Sequence, residues 1–404
     1  MNIAFYAEWE ISPYTGGIGR VTSILTDCFR HQYGWKVYAL FAKTVPPSFS
    51  KTEVDGQCQG RLHDRFGVRR DIGRNTRRAA EYIKEKRVDV VIVQTSMDVP
   101  MRLRDELKRI GYDTKIITCL HFAPGTDIFL NKLSDIKKVT PFSVNGIKTI
   151  LKSVFSIIYN PLITQLTKQC YRRAYHFSDL VFLLSDSYKD TFCKFSGVRD
   201  KQKLMAMPNP LSFNSFLPET ELNNKKPVAL VVGRMSEYEK RISRILSIWK
   251  NFENRNPNSI WQLKIVGDGA SLSDYKKQSV ELGLKRCHFE GSQPPVPYYE
   301  ESSLFLMTSA FEGLPMTLLE AQQFGCVPIV MNAFSSLPEI VADKKNGIIV
   351  ENNDEQLFLS AIERFTADKD EWEKLASNAI KDCQHFSQDS ICTKWKQIIT
   401  DMAK

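Results

Sequence analysis

The chain has 404 residues, 43% of them hydrophobic and 25% charged, which is too long for one ordinary core and predicts two or three soluble domains. No apolar run reaches eighteen residues and no leader pattern opens the chain, so neither a membrane span nor a secreted protein is expected; nine cysteines without a C-x-x-C pair argue against a disulfide framework or zinc site and for a reducing cytoplasm. The net charge of +9 leaves nucleic acid, an anionic membrane or a phosphorylated ligand as partners.

Asn2 to Ala7 predicts a buried strand, followed by the turn Thr15–Gly16–Gly17–Ile18–Gly19–Arg20 and a helix with Val21, Ile24, Leu25 and Phe29 on one face. A glycine-rich turn between strand and helix suits a phosphate or a closely approaching substrate, but the spacing is not the G-x-G-x-x-G dinucleotide pattern. Strands are expected at 35–41, 88–93, 115–120, 179–185 and 203–207, with helices at 72–86, 98–110 and 186–195 and a long, mostly helical segment at 122–175. This alternation predicts a doubly wound parallel sheet, with ligands at the carboxyl ends of its strands. His121 ends one such strand. Two basic stretches stand out. Arg61, Arg65, Arg69, Arg70, Arg74, Arg77 and Arg78 face only Asp64 and Asp71; between 131 and 173 lie Lys132, Lys137, Lys138, Lys148, Lys152, Lys168, Arg172 and Arg173, interleaved with apolar residues. Basic and apolar residues together suit an anionic membrane surface better than a duplex, so no nucleic-acid partner is expected.

The polar stretch 218–227 predicts a linker, after which the pattern starts again. A strand at 227–232 leads to Gly233–Arg234 and then Lys240–Arg241. Arg offers a planar fork to phosphate oxygens and Lys a mobile charge, so these cations suit a diphosphate. Strands follow at 262–266, 287–290, 304–307, 327–330 and 347–350, and three helices close the chain, the last at 388–402. After the strand at 304–307 comes the turn Glu312–Gly313–Leu314–Pro315 and a helix from Met316, with Pro315 expected at its first position. The N–H groups of Gly313, Leu314, Met316 and Thr317 form an anion seat. Glu320 lies eight residues beyond Glu312, a helical span of at most about 12 Å. On a nucleotide-sugar the diphosphate would meet these N–H groups, Glu312 the sugar and Glu320 the ribose. No Asp-x-Asp pair is seen to hold a metal beside it.

The stretch 308–325, TSAFEGLPMTLLEAQQFG, resembles the Glu–seven residues–Glu motif of the retaining glycosyltransferases of family 4, glycosyl transferases group 1, and the resemblance extends over nearly the whole chain. It implies the GT-B fold: two Rossmann-like α/β domains with doubly wound parallel sheets facing a central cleft. Residues 1–215 would form an acceptor-side domain, 216–385 a nucleotide-sugar domain, and 386–404 a helix crossing back to the first. It further implies that Gly16 and Gly17 lie near the donor diphosphate and the acceptor, and that His121 reaches the donor sugar. Arg234 would hold the phosphates together with Lys240 or Arg241, Lys240 being favoured. The backbone at Gln293 would hold the base, and Asp268 of the Val-Gly-Asp-Gly turn would be structural. The implied activity is metal-independent, retaining transfer from a nucleotide-sugar, with uridine diphosphate as the favoured handle and no cofactor. The acceptor would be a glycan or a lipid-diphosphate-linked glycan at the inner face of a bacterial membrane, in surface polysaccharide synthesis. A nucleotide-sugar epimerase of the same fold and a non-catalytic nucleotide-binding scaffold are the alternatives.

Overall fold

The computed structural model describes residues 1–60, 70–126 and 144–404, and the side chains of all these except 70–74 and 144–159. The chain divides into two compact units, Met1–Met207 with Ile398–Lys404, and Pro208–Gln397.

The first unit runs β1 (Asn2–Tyr6), α1 (Gly16–Asp27), β2 (Lys36–Phe41), β3 (Gly56–Gln59), α2 (Arg70–Glu85), β4 (Val90–Val93), α3 (Val99–Arg109), β5 (Lys115–Leu120), α4 (Val144–Phe177), β6 (Leu180–Leu183), α5 (Tyr188–Ser196) and β7 (Leu204–Ala206). Among the described residues its sheet is wholly parallel, in the order β3-β2-β1-β4-β5-β6-β7. Parallel neighbours need a crossover, which most of these helices supply. Val90 to Val93 are all buried, as expected of a strand covered on both faces. On one face, Ala4, Tyr6, Val91 and Val93 join Ala80 and Ile83 of α2 and Leu103 and Leu107 of α3 in one core. A buried Ile or Leu there contributes roughly 1.5–3 kcal/mol.

The sequence reading passed from the strand at 35–41 directly to 88–93, whereas the structure places β3 between them. β3 is Gly-Gln-Cys-Gln, half exposed, and forms the sheet edge, so it carries no apolar run to mark it. Of the basic stretches, residues 61–69 and 127–143 lie outside the described residues, as do the side chains of Arg70, Arg74, Lys148 and Lys152. Of the remainder, Arg77 pairs with Glu106 at 3.7 Å and Arg173 with Asp98 at 3.6 Å.

The second unit runs β8 (Lys226–Val232), α6 (Glu237–Lys240), α7 (Ile242–Arg255), β9 (Gln262–Val266), α8 (Leu272–Glu281), β10 (Cys287–Gly291), α9 (Val296–Glu301), β11 (Ser302–Met307), α10 (Met316–Gln323), β12 (Val327–Asn332), β13 (Ile348–Glu351), α11 (Glu355–Ala367), α12 (Lys369–Cys383) and α13 (Gln388–Met402). Its sheet is also parallel, in the order β10-β9-β8-β11-β12-β13. In each sheet the winding reverses beside the first strand of the unit, between β1 and β4 and between β8 and β11. Those are the positions where doubly wound sheets receive ligands.

The stretch 218–227 is not a free linker. Glu219–Asn224 forms a 3-10 turn with Leu222 buried, and Glu219 accepts from Ser377 at 2.5 Å and pairs with Lys381 at 3.2 Å, both on α12. Glu219 thereby anchors this turn to α12 of the second unit.

Candidate functional site

β11 is buried along its whole length, and the chain leaves its carboxyl end through Thr308 to Pro315. The Ala310 N–H donates to the Glu239 carbonyl at 2.7 Å and Ser336 Oγ donates to the Gly313 carbonyl at 2.8 Å, which pins the turn at both ends. Pro315 does not take the first helical position that the sequence predicts. With ψ of 105° it is extended and caps α10, its carbonyl accepting from Leu318 at 3.1 Å and Leu319 at 3.3 Å. The first-turn N–H groups of Met316 and Thr317 have no preceding helical carbonyl to reach, which is what makes a helix start attractive to anions.

The cations come from the loop after β8. Lys240 Nζ lies 2.5 Å from Glu312 Oε1, with the two side chains only 18% and 13% exposed. Arg234 pairs with Glu239, whose backbone holds Ala310, and its side chain stays 68% exposed. Arg241 is committed elsewhere. Its guanidinium donates to the carbonyls of Thr308 at 2.8 Å and Ser309 at 2.9 Å, and to the side chains of Asn352 at 3.1 Å and Asn353 at 3.3 Å. Burial lowers its pKa, with Arg244 acting in the same direction. Of the two neighbouring cations, Lys240 is therefore the one set beside Glu312.

Arg241 also sits at φ +49°, a left-handed conformation that side chains rarely adopt. Its clamp holds that backbone in place, and Thr308 Oγ1 adds bonds to the Lys240 and Arg241 carbonyls. Arg241→Ala keeps the unfavourable φ and deletes all four side-chain bonds. It is expected to destabilise the second unit by about 2–4 kcal/mol, since bonds from a charged donor contribute more than neutral ones. Urea unfolding of the variant measures this, and a loss below about 1 kcal/mol would contradict the clamp.

Glu320 lies deeper than its spacing suggests. It is 1% exposed, and its carboxylate accepts from Ser212 Oγ at 2.5 Å and from Tyr299 Oη at 2.9 Å. Tyr299 stacks on Phe324 and is fixed from behind by Lys225, whose ammonium donates to the carbonyls of Tyr299 at 2.6 Å and Ser302 at 2.8 Å. Burial lowers the pKa of Lys225. A ribose reaching Glu320 would join or replace the Ser212 bond. The sequence singles out none of Ser212, Tyr299 or Lys225, since nothing local marks a partner 108, 21 or 74 residues away.

Gln293 is exposed just beyond β10. Gly291, two residues earlier, accepts from the Gly267 N–H at 2.7 Å, so Gln293 lies near the 267–269 turn. Asp268 is structural there: its side chain accepts from the Gly269 N–H at 2.6 Å and its carbonyl from Met235 at 2.9 Å.

In the first unit a cavity of about 530 Å³ opens at the switch point. Its lining includes Glu8, Trp9 and Glu10 after β1, Thr15 and Gly19 of the glycine turn, Gln94 after β4, and His121 after β5. A side chain built at Gly16 or Gly17 would meet nothing within 4 Å, so these positions face open space. The sterically obligatory glycine is Gly19, where a Cβ would stand 1.8 Å from Thr15 Oγ1 and 2.5 Å from the Ser12 carbonyl.

Residues 213–382 match the family model described as glycosyl transferases group 1. The chain is 30% identical over 182 residues to the amylovoran biosynthesis glycosyltransferase AmsD of Erwinia amylovora, covering 43% of this chain and 48% of that protein. It is 28% identical over 187 residues to the UDP-Gal:alpha-D-GlcNAc-diphosphoundecaprenol alpha-1,3-galactosyltransferase of Escherichia coli, covering 42% and 47%. The matched region thus spans about half the length of these relatives. Among solved structures, Alr3699/HepE of Anabaena in complex with UDP superposes with a TM-score of 0.70 at 15% identity, covering 99% of this chain and 100% of the other. Over residues 213–382 the second unit is thus similar to the glycosyl transferases group 1 domain, and the chain has the GT-B fold.

Proposed function

We propose that this chain transfers a sugar from a nucleotide-sugar, with uridine diphosphate as the handle, to a glycan or lipid-diphosphate-linked acceptor in bacterial surface polysaccharide synthesis. The observation that carries the reading is the Lys240–Glu312 pair, set beside the start of α10 at the switch point of the second sheet. When the bond from the sugar to the diphosphate breaks, negative charge grows on the leaving phosphate oxygens. Lys240, Arg234 and the N–H groups of Gly313 to Thr317 meet that charge in place, and such preorganised stabilisation is usually the largest catalytic effect. These groups can act without a metal ion. Glu312 orients the sugar, Glu320 the ribose, and the backbone at Gln293 the base. His121 and the cavity of the first unit serve the reacting sugars. Retention follows if the acceptor oxygen attacks from the face the diphosphate leaves, the diphosphate taking its proton.

The similar proteins support the donor and acceptor classes: HepE binds UDP, and the Escherichia coli relative is named for a UDP-sugar donor and a diphosphoundecaprenol acceptor. Among the described residues no helix is long and apolar enough to cross a membrane. We place the reaction in the cytoplasm, at the membrane's inner face.

A thermal-shift panel of uridine, guanosine and adenosine diphosphates and their sugars tests the donor seat. A ligand at a hundred times its Kd stabilises the folded state by about 2.7 kcal/mol. Uridine diphosphate and one of its sugars are expected to raise the Tm, and Arg234→Ala to reduce that rise. The same mixtures are expected to release free sugar slowly, which a nucleotide-binding scaffold cannot do. No shift with any nucleotide and no released sugar would overturn the proposal.

A further inference from the structure

The cavity of the first unit carries a charge pattern that narrows the acceptor. Its described lining holds two carboxylates, Glu8 and Glu10, and no lysine or arginine. Glu10 is buried, its side chain 5% exposed, and pairs with Lys51 at 3.0 Å, and Glu8 pairs with Lys43; neither lysine is part of the described lining. An anionic group entering the cavity would meet these two carboxylates and, among the described lining residues, no lysine or arginine to pair with. Such like-charge juxtaposition discriminates strongly between partners.

What remains in the lining is neutral. Thr15, Thr22, Thr95, Ser96 and Thr167 bring hydroxyls, and Trp9, Phe122 and Tyr171 bring ring surface. Gln94 supplies the sharpest sign of a ligand. The residue is 5% exposed; one end of its amide is held by Thr22 Oγ1, whose single proton goes to the Ile18 carbonyl, and the other, buried end has no hydrogen-bond partner. A buried amide end without a partner is costly unless something supplies one. An uncharged amide beside hydroxyls and aromatic surface matches a sugar hydroxyl, which can donate or accept.

We propose that this cavity takes an uncharged pyranose, a neutral hexose or N-acetylhexosamine, as the accepting end of the glycan, and excludes uronic acids and phosphorylated sugars. This rests on the transferase reading and specifies its acceptor.

The test uses the full chain. Saturation-transfer NMR and titration compare p-nitrophenyl β-D-galactoside, p-nitrophenyl N-acetyl-β-D-glucosaminide and p-nitrophenyl β-D-glucuronide, with p-nitroanisole as the uncharged aglycone control. At least one neutral glycoside is expected to bind at least about tenfold more tightly than the glucuronide. Glu8→Gln is expected to narrow that gap, and Gln94→Leu to weaken the neutral glycoside; circular dichroism confirms that each variant is folded. Glucuronide binding as tight as the neutral sugars, binding that p-nitroanisole reproduces alone, a gap unmoved by Glu8→Gln, or no glycoside binding at millimolar concentration would each overturn the proposal. The donor assay separates this from the parent reading. Neutral-glycoside binding without donor hydrolysis keeps the cavity assignment and removes the transferase, whereas donor hydrolysis with a preferred glucuronide does the reverse.

Discussion

Glu312→Gln is expected to lower kcat by about 10²–10³-fold while shifting donor Kd by less than about tenfold. The substitution keeps the shape of the side chain and removes its charge. In the native turn that charge lies 2.5 Å from Lys240 Nζ, and both groups are largely withdrawn from water. Lys240 is useful to a departing diphosphate only if its ammonium is already in place, since repositioning it during the reaction would forfeit part of its stabilisation. Glu312 holds Lys240, and on the proposed reading it also orients the sugar; a double-mutant cycle separates the two tasks. If Glu312 acts only through Lys240, Glu312→Gln with Lys240→Met is no slower than Lys240→Met alone. If it also touches the sugar, the double variant is slower than either single one. Glu320→Gln provides the contrast: a buried carboxylate held by Ser212 and Tyr299 is expected to affect donor Kd and leave kcat nearly unchanged. Unchanged turnover in Glu312→Gln would remove the site assignment altogether.

What could be read from the sequence, and what could not, divides along the range of the interactions. The runs Val228 to Val232 and Leu304 to Met307 announced buried parallel strands because both faces of each are covered and every position is apolar. The Gly313–Leu314–Pro315 turn announced a helix start because turn chemistry is local, although Pro315 caps the helix where the sequence had it inside. β3 was invisible because an edge strand half open to solvent needs no apolar pattern. The choice between Lys240 and Arg241 could not be made from spacing. Arg241 is held by a left-handed backbone and by four acceptors, two of them on the remote turn at Asn352 and Asn353, which favours Lys240. Glu320 shows the same limit. Its spacing from Glu312 was legible, but its burial comes from Ser212, 108 residues away, and Tyr299. The cavity of the first unit draws on segments from Ala7 to Tyr171, and no single stretch of sequence contains its pattern.

Gly267→Ala is expected to be the most damaging small substitution in the second unit, for a reason the sequence hinted at only as a Val-Gly-Asp-Gly turn. Gly267 has φ +140°, which side chains rarely adopt, and a Cβ there would stand 1.9 Å from the Gly233 carbonyl oxygen. The obstacle is backbone, so no side chain can turn aside to relieve it. Clearing it means moving apart the chain segments that leave β8 and β9. Their links are the bonds from Gly233 N–H to the Val266 carbonyl at 3.1 Å and from Met235 N–H to the Asp268 carbonyl at 2.9 Å; Gly267 N–H to the Gly291 carbonyl, at 2.7 Å, extends them to β10. Backbone strain of about 1–3 kcal/mol and the loss of two or three such bonds amount to roughly 3–6 kcal/mol. For a unit of this size that lowers the Tm by roughly 6–20 °C. Arg234 follows Gly233 directly, so whatever folds is also expected to bind uridine diphosphate more weakly. Gly283→Ala is the matched control. It too has positive φ, +62°, but a Cβ there meets nothing within 4 Å, so it carries the conformational cost alone, about 1–2 kcal/mol. Calorimetry of both variants separates the two effects. If Gly267→Ala lost no more than Gly283→Ala, the close approach of these two turns would not be what holds Arg234 in place.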